Sequence, residues 1–142
     1  MIVVDTNVVS ELMKPSPESV VREWVRAQDP DELHTTAISL AEIRYGIERI
    51  PTGRRRDLLR TTADEVFAVF EDHILPFDAA AAGRYATIVT TRDEASLPID
   101  GFDAQIAAIC SLHHGTLATR NVKDFRGTGI EVTAPWALRE QS

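Results

Sequence analysis

The segment Met1-Ile2-Val3-Val4-Asp5-Thr6-Asn7-Val8-Val9-Ser10-Glu11 contains two different hydrophobic periods. Met1 to Val4 is a continuous apolar run, mostly β-branched and without polar alternation, the pattern of a strand covered on both faces. Beyond Asp5 the period lengthens. Val8, Val9, Leu12 and Met13 fall on one side of a helix that Pro15 ends. A buried strand feeding directly into a helix is how a parallel α/β sheet begins.

The same alternation continues down the chain. Ser16-Pro17-Glu18 reads as an N-cap, a first-turn proline and a favourable acid, opening a helix that buries Val20, Val21, Trp24 and Val25. Leu33 to Ala37 predicts a short strand, and Ser39-Leu40-Ala41-Glu42 opens the next helix. Arg54 to Asp72 carries a helical stripe of Leu58, Leu59, Val66, Phe67 and Phe70. Ile74 to Phe77 is a further strand, and Asp78 caps an alanine-rich helix through Tyr85 and Ile88. Asp100 to His114 predicts another helix, stopped by Gly115 at the C′ position. Thr116 to Thr119 and Ile130 to Thr133 complete the strands. The expected fold is α/β, in three layers, with a central parallel sheet of about five strands flanked by helices.

At 142 residues, with 44% hydrophobic and 26% charged, the chain has the length and balance of one folded domain. Fraying is expected only in the tail, Arg139 to Ser142. The apolar start lacks a basic flank and is too short for a signal peptide, and no stretch approaches the roughly 18 apolar residues of a membrane span. A soluble, cytoplasmic protein is expected. A lone Cys110 excludes an internal disulfide and a thiolate-rich metal site, and reads as a small buried residue on a helix. The net charge of −7 argues against general nucleic-acid affinity through Lys and Arg. A nuclease that works through metal is the exception, because bound cations reverse the charge of a local carboxylate cluster.

Ligands of open parallel sheets bind beyond the carboxyl ends of the strands. Asp5 ends the first strand, and Asp124 lies just past Leu117 to Thr119. Glu42 and Asp103 each fall in the expected first turn of a helix. Singly, each has a structural reading: Asp5 as a cap, Glu42 as the partner of Ser39 in a capping box, Asp103 in a similar relation to Asp100, and Asp124 as a turn former. Only a common location on one sheet edge separates the functional reading from these.

Four blocks in order, Val4 to Glu11, Ala41 to Glu48, Phe102-Asp103-Ala104-Gln105-Ile106-Ala107-Ala108 and Thr119 to Phe125, strongly resemble the PIN domain. Within it they resemble the VapC toxins and their FitB-like branch, as does Pro135-Trp136. The resemblance spans Met1 to Trp136, which sets a PIN domain at 1–136 and a tail at 137–142. It implies that Asp5, Glu42, Asp103 and Asp124 form the family's acidic quartet, supported by the polar residues Thr6, Asn7, Thr119 and Asn121. Asp100 is an extra acid nearby. The match of Asp103-Ala104-Gln105-Ile106 assigns the role to Asp103 and leaves Asp100 as a cap. The resemblance further implies an Mg²⁺- or Mn²⁺-dependent ribonuclease, a homodimer, and a small DNA-binding antitoxin of the VapB or FitA kind that covers the acidic groove.

Hard carboxylate oxygens suit Mg²⁺ or Mn²⁺, which activates water and neutralises phosphate charge in phosphodiester hydrolysis. Asp5 and Asp103 are the expected primary ligands, with Glu42 and Asp124 completing the shell or orienting water. His34, His73, His113 and His114 have no ligand spacing and are read as solvated, so zinc is not expected. Ser10 and Glu11 lack a partner histidine and are read as facing solvent or a neighbouring helix. Arg54-Arg55-Arg56 and Arg44 are read as a solvated helix surface, with contact to RNA phosphates as the alternative. The glycines form neither a dinucleotide nor a P-loop pattern. A phosphoacceptor domain fits poorly, since Asp5 has no acidic neighbour and Asp78 and Lys123 are misplaced. A haloacid-dehalogenase-type phosphatase needs an acid two residues after Asp5, where Asn7 stands. The remaining alternative is a catalytically silent PIN domain that binds RNA or a partner, and the intact quartet argues against it.

Overall fold

The computed structural model describes residues 1–140. Five strands, β1 (Ile2–Val4), β2 (Leu33–Thr36), β3 (Ile74–Leu75), β4 (Thr116–Ala118) and β5 (Glu131–Thr133), form one sheet in the order β3-β2-β1-β4-β5. Every neighbouring pair is parallel, with Ile2 opposite both Leu33 and Thr116. The chain runs outward from β1 to β3, then returns to the other side of β1 to lay down β4 and β5. The order therefore reverses between β1 and β4. Such a switch point opens a crevice beyond the strand ends, and there Asp5 follows β1 and Thr119 follows β4.

Successive strand residues point to opposite faces, which explains why β1 has no polar alternation. Val3 and Leu117 pack with Ile88, Ile106, Ala107, Cys110 and Phe125 on one face. Val4 and Ala118 pack with Val8, Val9, Val21, Ile43, Ile47 and Phe67 on the other. The second face is covered by α1 (Thr6–Leu12), α2 (Ser19–Arg26), α3 (Ala37–Glu48) and α4 (Arg54–Val69). The first is covered by α5 (Ala79–Glu94) and α6 (Gly101–His113), whose Ala104, Ala107 and Ala108 permit close helix packing. Short 3-10 turns occupy Pro30–Glu32, Val122–Phe125 and Pro135–Glu140. Gln141 and Ser142, part of the tail expected to fray, lie outside the described residues. No described helix is long and apolar enough to cross a membrane.

The three-layer expectation holds, while several local expectations are corrected. Ser16 does not cap α2. The helix starts at Ser19 with Glu18 in the cap position, and the Glu18 amide donates to the buried Glu11 carboxylate at 3.3 Å. The second strand stops at Thr36 because the Thr36 hydroxyl accepts from the Ser39 amide at 3.1 Å and caps α3 three residues earlier than expected. Of the stripe expected on α4, Leu58 is exposed, while Leu59 packs inward as expected. The left-handed residue that ends α6 is His114 (φ 54°), with Gly115 one place beyond it. The His114 amide bonds Ser111 O and the Gly115 amide bonds Cys110 O, closing a Schellman motif. Glycine is needed at 115 for space, since a Cβ there would meet Val3 Cγ2 at 3.0 Å. His34 and His73, read as solvated, are half-buried and stacked face to face with ring centroids 4.3 Å apart.

Candidate active site

Asp5 leaves β1 in extended conformation, and its carboxylate caps α1 by accepting from the Thr6 amide at 2.8 Å. It is only 5% exposed. Its other oxygen accepts from the Thr119 hydroxyl at 2.7 Å, across the β1–β4 junction. Thr119 in turn accepts from the Asn7 side-chain amide and from the Asn121 backbone, both at 3.1 Å. Asn7 Oδ1 accepts from the Arg120 amide at 3.2 Å. The polar residues expected to support the site thus form one network that fixes Asp5 and the loop after β4. The capping reading of Asp5 holds, with one oxygen serving the cap and the other joining the network.

Glu42 approaches from the second turn of α3. The capping-box reading is overturned because Thr36 holds the cap position, which leaves the Glu42 carboxylate available for other partners. The Thr6 hydroxyl lies 3.0 Å from Glu42 Oε1 and 2.9 Å from Ser39 Oγ. It has one proton to give, and the acceptor-only carboxylate takes it. Asp103 stands in the first turn of α6, while Asp100 caps that helix by accepting from the Phe102 amide at 2.9 Å and the Asp103 amide at 3.4 Å. The division between cap and inward-facing acid is as expected.

Asp5, Glu42 and Asp103 line one pocket of about 400 Å³ together with Thr6, Asn7 and Asn121. Asp124 sits on the exposed turn Val122–Phe125, outside this lining, yet near enough that its charge acts on both Asp5 and Asp103. The electrostatics are those of crowded like charges. Burial, then the negative fields of Asp5, Asp100, Asp124 and Glu42, push the Asp103 carboxyl up to about 7. A helix N-terminus ordinarily favours the charged acid, so crowding and burial outweigh the dipole here. Burial also raises Asp5, against the opposing bonds from Thr119 and Thr6 and with help from Asp124. Glu42 is raised by burial, then by Asp5 and Asp100, with Thr6 opposing.

Among the described residues, no three His, Cys, Asp or Glu side chains converge closely enough to hold a metal ion as they stand. The donor chemistry nevertheless fits a hard divalent cation. Asp5, Glu42 and Asp103 border one pocket, none of the three has a cationic partner within ion-pair distance among the described residues, and burial and like charge disfavour the charged form of each. A cation removes that penalty.

The same pocket is also lined by Ser10, Glu11, Lys14, Arg120 and Trp136. Glu11, read from sequence as facing solvent or a helix, is 2% exposed and pairs with Lys14 at 2.6 Å. The Arg120 guanidinium lies 5.3 Å from the Trp136 ring centroid. The spacing of Glu11 and Lys14 is visible in sequence as an i,i+3 pair, whereas nothing in sequence joins Arg120 to Trp136. Arg44 pairs with Asp64 at 2.7 Å, and Arg54, Arg55 and Arg56 open α4 without lining the pocket. Cys110 is buried, and burial pushes its thiol up to about 12, consistent with an inert core residue.

A family model described as "PIN domain" matches residues 2–130. Over 137 residues the chain is 36% identical to a VapC ribonuclease, Y4jK, of Sinorhizobium fredii, covering 96% of this chain and 98% of that protein. It is 32% identical to the toxin FitB of Neisseria gonorrhoeae, with 96% and 99% covered. A solved structure of FitAB bound to a DNA fragment superimposes with a TM-score of 0.89 at 32% identity, covering 96% of each chain. The match in fold, in sequence and along nearly the full length leads to one conclusion: this chain belongs to the PIN-domain family.

Proposed function

We propose that this chain is a divalent-metal-dependent endoribonuclease and the toxin of a toxin–antitoxin pair, with residues 1–136 as the functional unit and 137–142 as a tail. One observation carries the chemistry: Asp5, Glu42 and Asp103 border a single pocket at the sheet's switch point, and among the described residues no Lys or Arg lies within ion-pair distance of any of the three. Asp5 and Asp103 are the primary ligands for Mg²⁺ or Mn²⁺. Glu42 and Asp124 complete the shell or orient water. When bound, the cation lowers the pKa of water and neutralises charge on the phosphodiester. Thr119 and the Thr6 amide hold the Asp5 carboxylate in one orientation. The Thr6 hydroxyl does the same for Glu42. Lys14 and Arg120 line the same pocket, where phosphates flanking the cleaved bond would meet positive charge.

The relatives support the partner side of this reading. One is named a ribonuclease, one a toxin, and a FitAB complex was solved on DNA. The partner is accordingly a small DNA-binding antitoxin, VapB- or FitA-like, assembling with a homodimer of this chain in the cytoplasm. Crowded carboxylates without metal would accept an antitoxin Arg or Lys.

Purified protein incubated with structured and single-stranded RNA tests the reading. Cleavage is expected with Mg²⁺ or Mn²⁺, its loss with a chelator, and its return with excess metal. Cleavage that survives exhaustive chelation would overturn the metal mechanism. Expression alone should slow growth, and co-expression of the cognate partner should relieve it.

A further inference from the structure

Arg92 on α5 is a charged residue buried to 6% exposure, and among the described residues it has no carboxylate within ion-pair distance. Its guanidinium is instead enclosed by backbone carbonyls. Nε donates to Leu97 O at 2.5 Å and Nη2 to Pro98 O at 3.1 Å. Nη1 donates to Asp124 O at 2.9 Å and Arg126 O at 2.7 Å. Four of the five guanidinium N–H groups are thereby placed.

The four carbonyls come from two segments far apart in sequence. Leu97 and Pro98 lie in the loop that leads into α6, just before the cap Asp100 and the inward acid Asp103. Asp124 and Arg126 belong to the turn after β4, which continues over the stem of Arg92 at Gly127. A buried, unpaired cation is costly, and an apolar side chain would fill the core at this place with less penalty. What an apolar residue cannot do is fix two loops to one another through a rigid planar fork.

We propose that Arg92 is a positioning residue that sets the placement of Asp124 relative to Asp103, by tying the loop before α6 to the turn after β4. This rests on the reading that these acids serve one metal. Lysine keeps the charge, but its single nitrogen has three donors and cannot span four carbonyls in the plane of a guanidinium.

The test compares full-length wild type with Arg92→Lys, Arg92→Gln and Ile88→Ala, the last a core truncation on the same helix. Three quantities are read: amide hydrogen exchange over residues 97–103 and 122–128, Mn²⁺ affinity by calorimetric titration, and RNA cleavage. In Arg92→Lys both segments are expected to lose protection together, and Mn²⁺ affinity to fall about 10- to 100-fold. kcat falls with it while KM for RNA changes little. Ile88 packs in the same cluster as Phe125, and Ile88→Ala should lower the melting temperature and leave Mn²⁺ affinity and the protection of residues 97–103 intact. If Arg92→Gln fails to fold, Arg92→Lys carries the comparison. The proposal is overturned if folded Arg92→Lys keeps both segments protected, or if Ile88→Ala weakens Mn²⁺ binding equally. If wild type neither binds Mn²⁺ nor cleaves RNA, the metal reading falls, and the exchange data alone decide the coupling: joint loss of protection keeps it and retained protection removes it.

Discussion

Asp5 caps α1 and Glu11 lies in its last turn; both line the same pocket, yet their carboxyls are displaced in opposite directions. Glu11 is held below the usual carboxylate range, first by its bond to Lys14 and then by the Glu18 amide, against the opposing effect of burial. Asp5 is raised, because burial outweighs its neutral partners Thr119 and Thr6 and Asp124 adds repulsion. Glu11 comes with its own cation. Asp5 is surrounded by neutral donors and like charge, and under the proposed metal reading its counter-charge would come from outside.

The largest effect expected from this contrast is at Asp103, where the charges that act on it are all acids and, among the described residues, no group donates a hydrogen bond to its carboxylate. Asp103→Asn should lower RNA cleavage by on the order of 10²-fold or more, since it removes an oxygen ligand from the metal. The apo protein should melt at the same or a higher temperature, because one member of a repelling group is gone. Mg²⁺ should then raise the melting temperature of wild type more than that of the variant. A fully active Asp103→Asn would remove Asp103 from the site.

The next effect is on stability as a function of pH, where the two kinds of acid give opposite signs. Asp103 titrates near 7 in the folded state, well above its ordinary value of 3.8. Between these values the folded chain binds more protons than the unfolded one, so apo stability falls as pH rises from about 4 to about 7. Glu11 is shifted below its ordinary 4.5, so its contribution is present above that value and is lost on further acidification. Melting of the apo protein should therefore rise as pH drops from about 7.5 to about 4, then decline on further acidification. Asp103→Asn should flatten the upper limb and Glu11→Gln the lower one. A wild-type upper limb that is already flat would show that the acids are not crowded.

Glu11→Gln should cost about 1 kcal/mol in chemical denaturation, because Lys14 is largely exposed and rehydrates when its partner is lost. Mn²⁺ affinity should stay within a few-fold of wild type. A larger loss of metal binding than of stability would move Glu11 from the scaffold to the site.

Much of this arrangement is legible in the sequence, for identifiable reasons. Met1 to Val4 reads as a strand because a strand buried on both faces requires an unbroken apolar run. Asp78 and Asp100 read as caps because both the residue type and the helical pattern beyond them agree, and both caps form. The start of α3 is misread because Thr36 and Ser39 are equally suitable caps, and only the end of β2 chooses between them. Trp136 and Arg120 meet only once the chain has folded. Arg92 is the least legible of all. Its partners are backbone carbonyls, which every residue carries, so no spacing or residue type marks them.

The smallest effect expected, and the sharpest on the boundary between cap and site, belongs to Asp100. It is exposed, and one of its carboxylate oxygens accepts from the Phe102 and Asp103 amides, yet its charge reaches both Glu42 and Asp103. Asn is as good a cap as Asp, so Asp100→Asn should change stability by only a few tenths of a kcal/mol. It also withdraws one repelling charge from two site acids, so the upper limb of the pH–stability curve should become shallower. Those two consequences separate the roles. A cap beside the site loses no activity and relieves a little repulsion, whereas a ligand loses metal affinity together with cleavage. Asp100→Ala should remove the cap as well, at a cost of about 1 kcal/mol, with cleavage retained at temperatures well below melting. If Asp100→Asn abolishes cleavage while Asp103→Asn does not, the assignments of these two acids at the start of α6 are exchanged, and Asp103 becomes the residue that serves the fold.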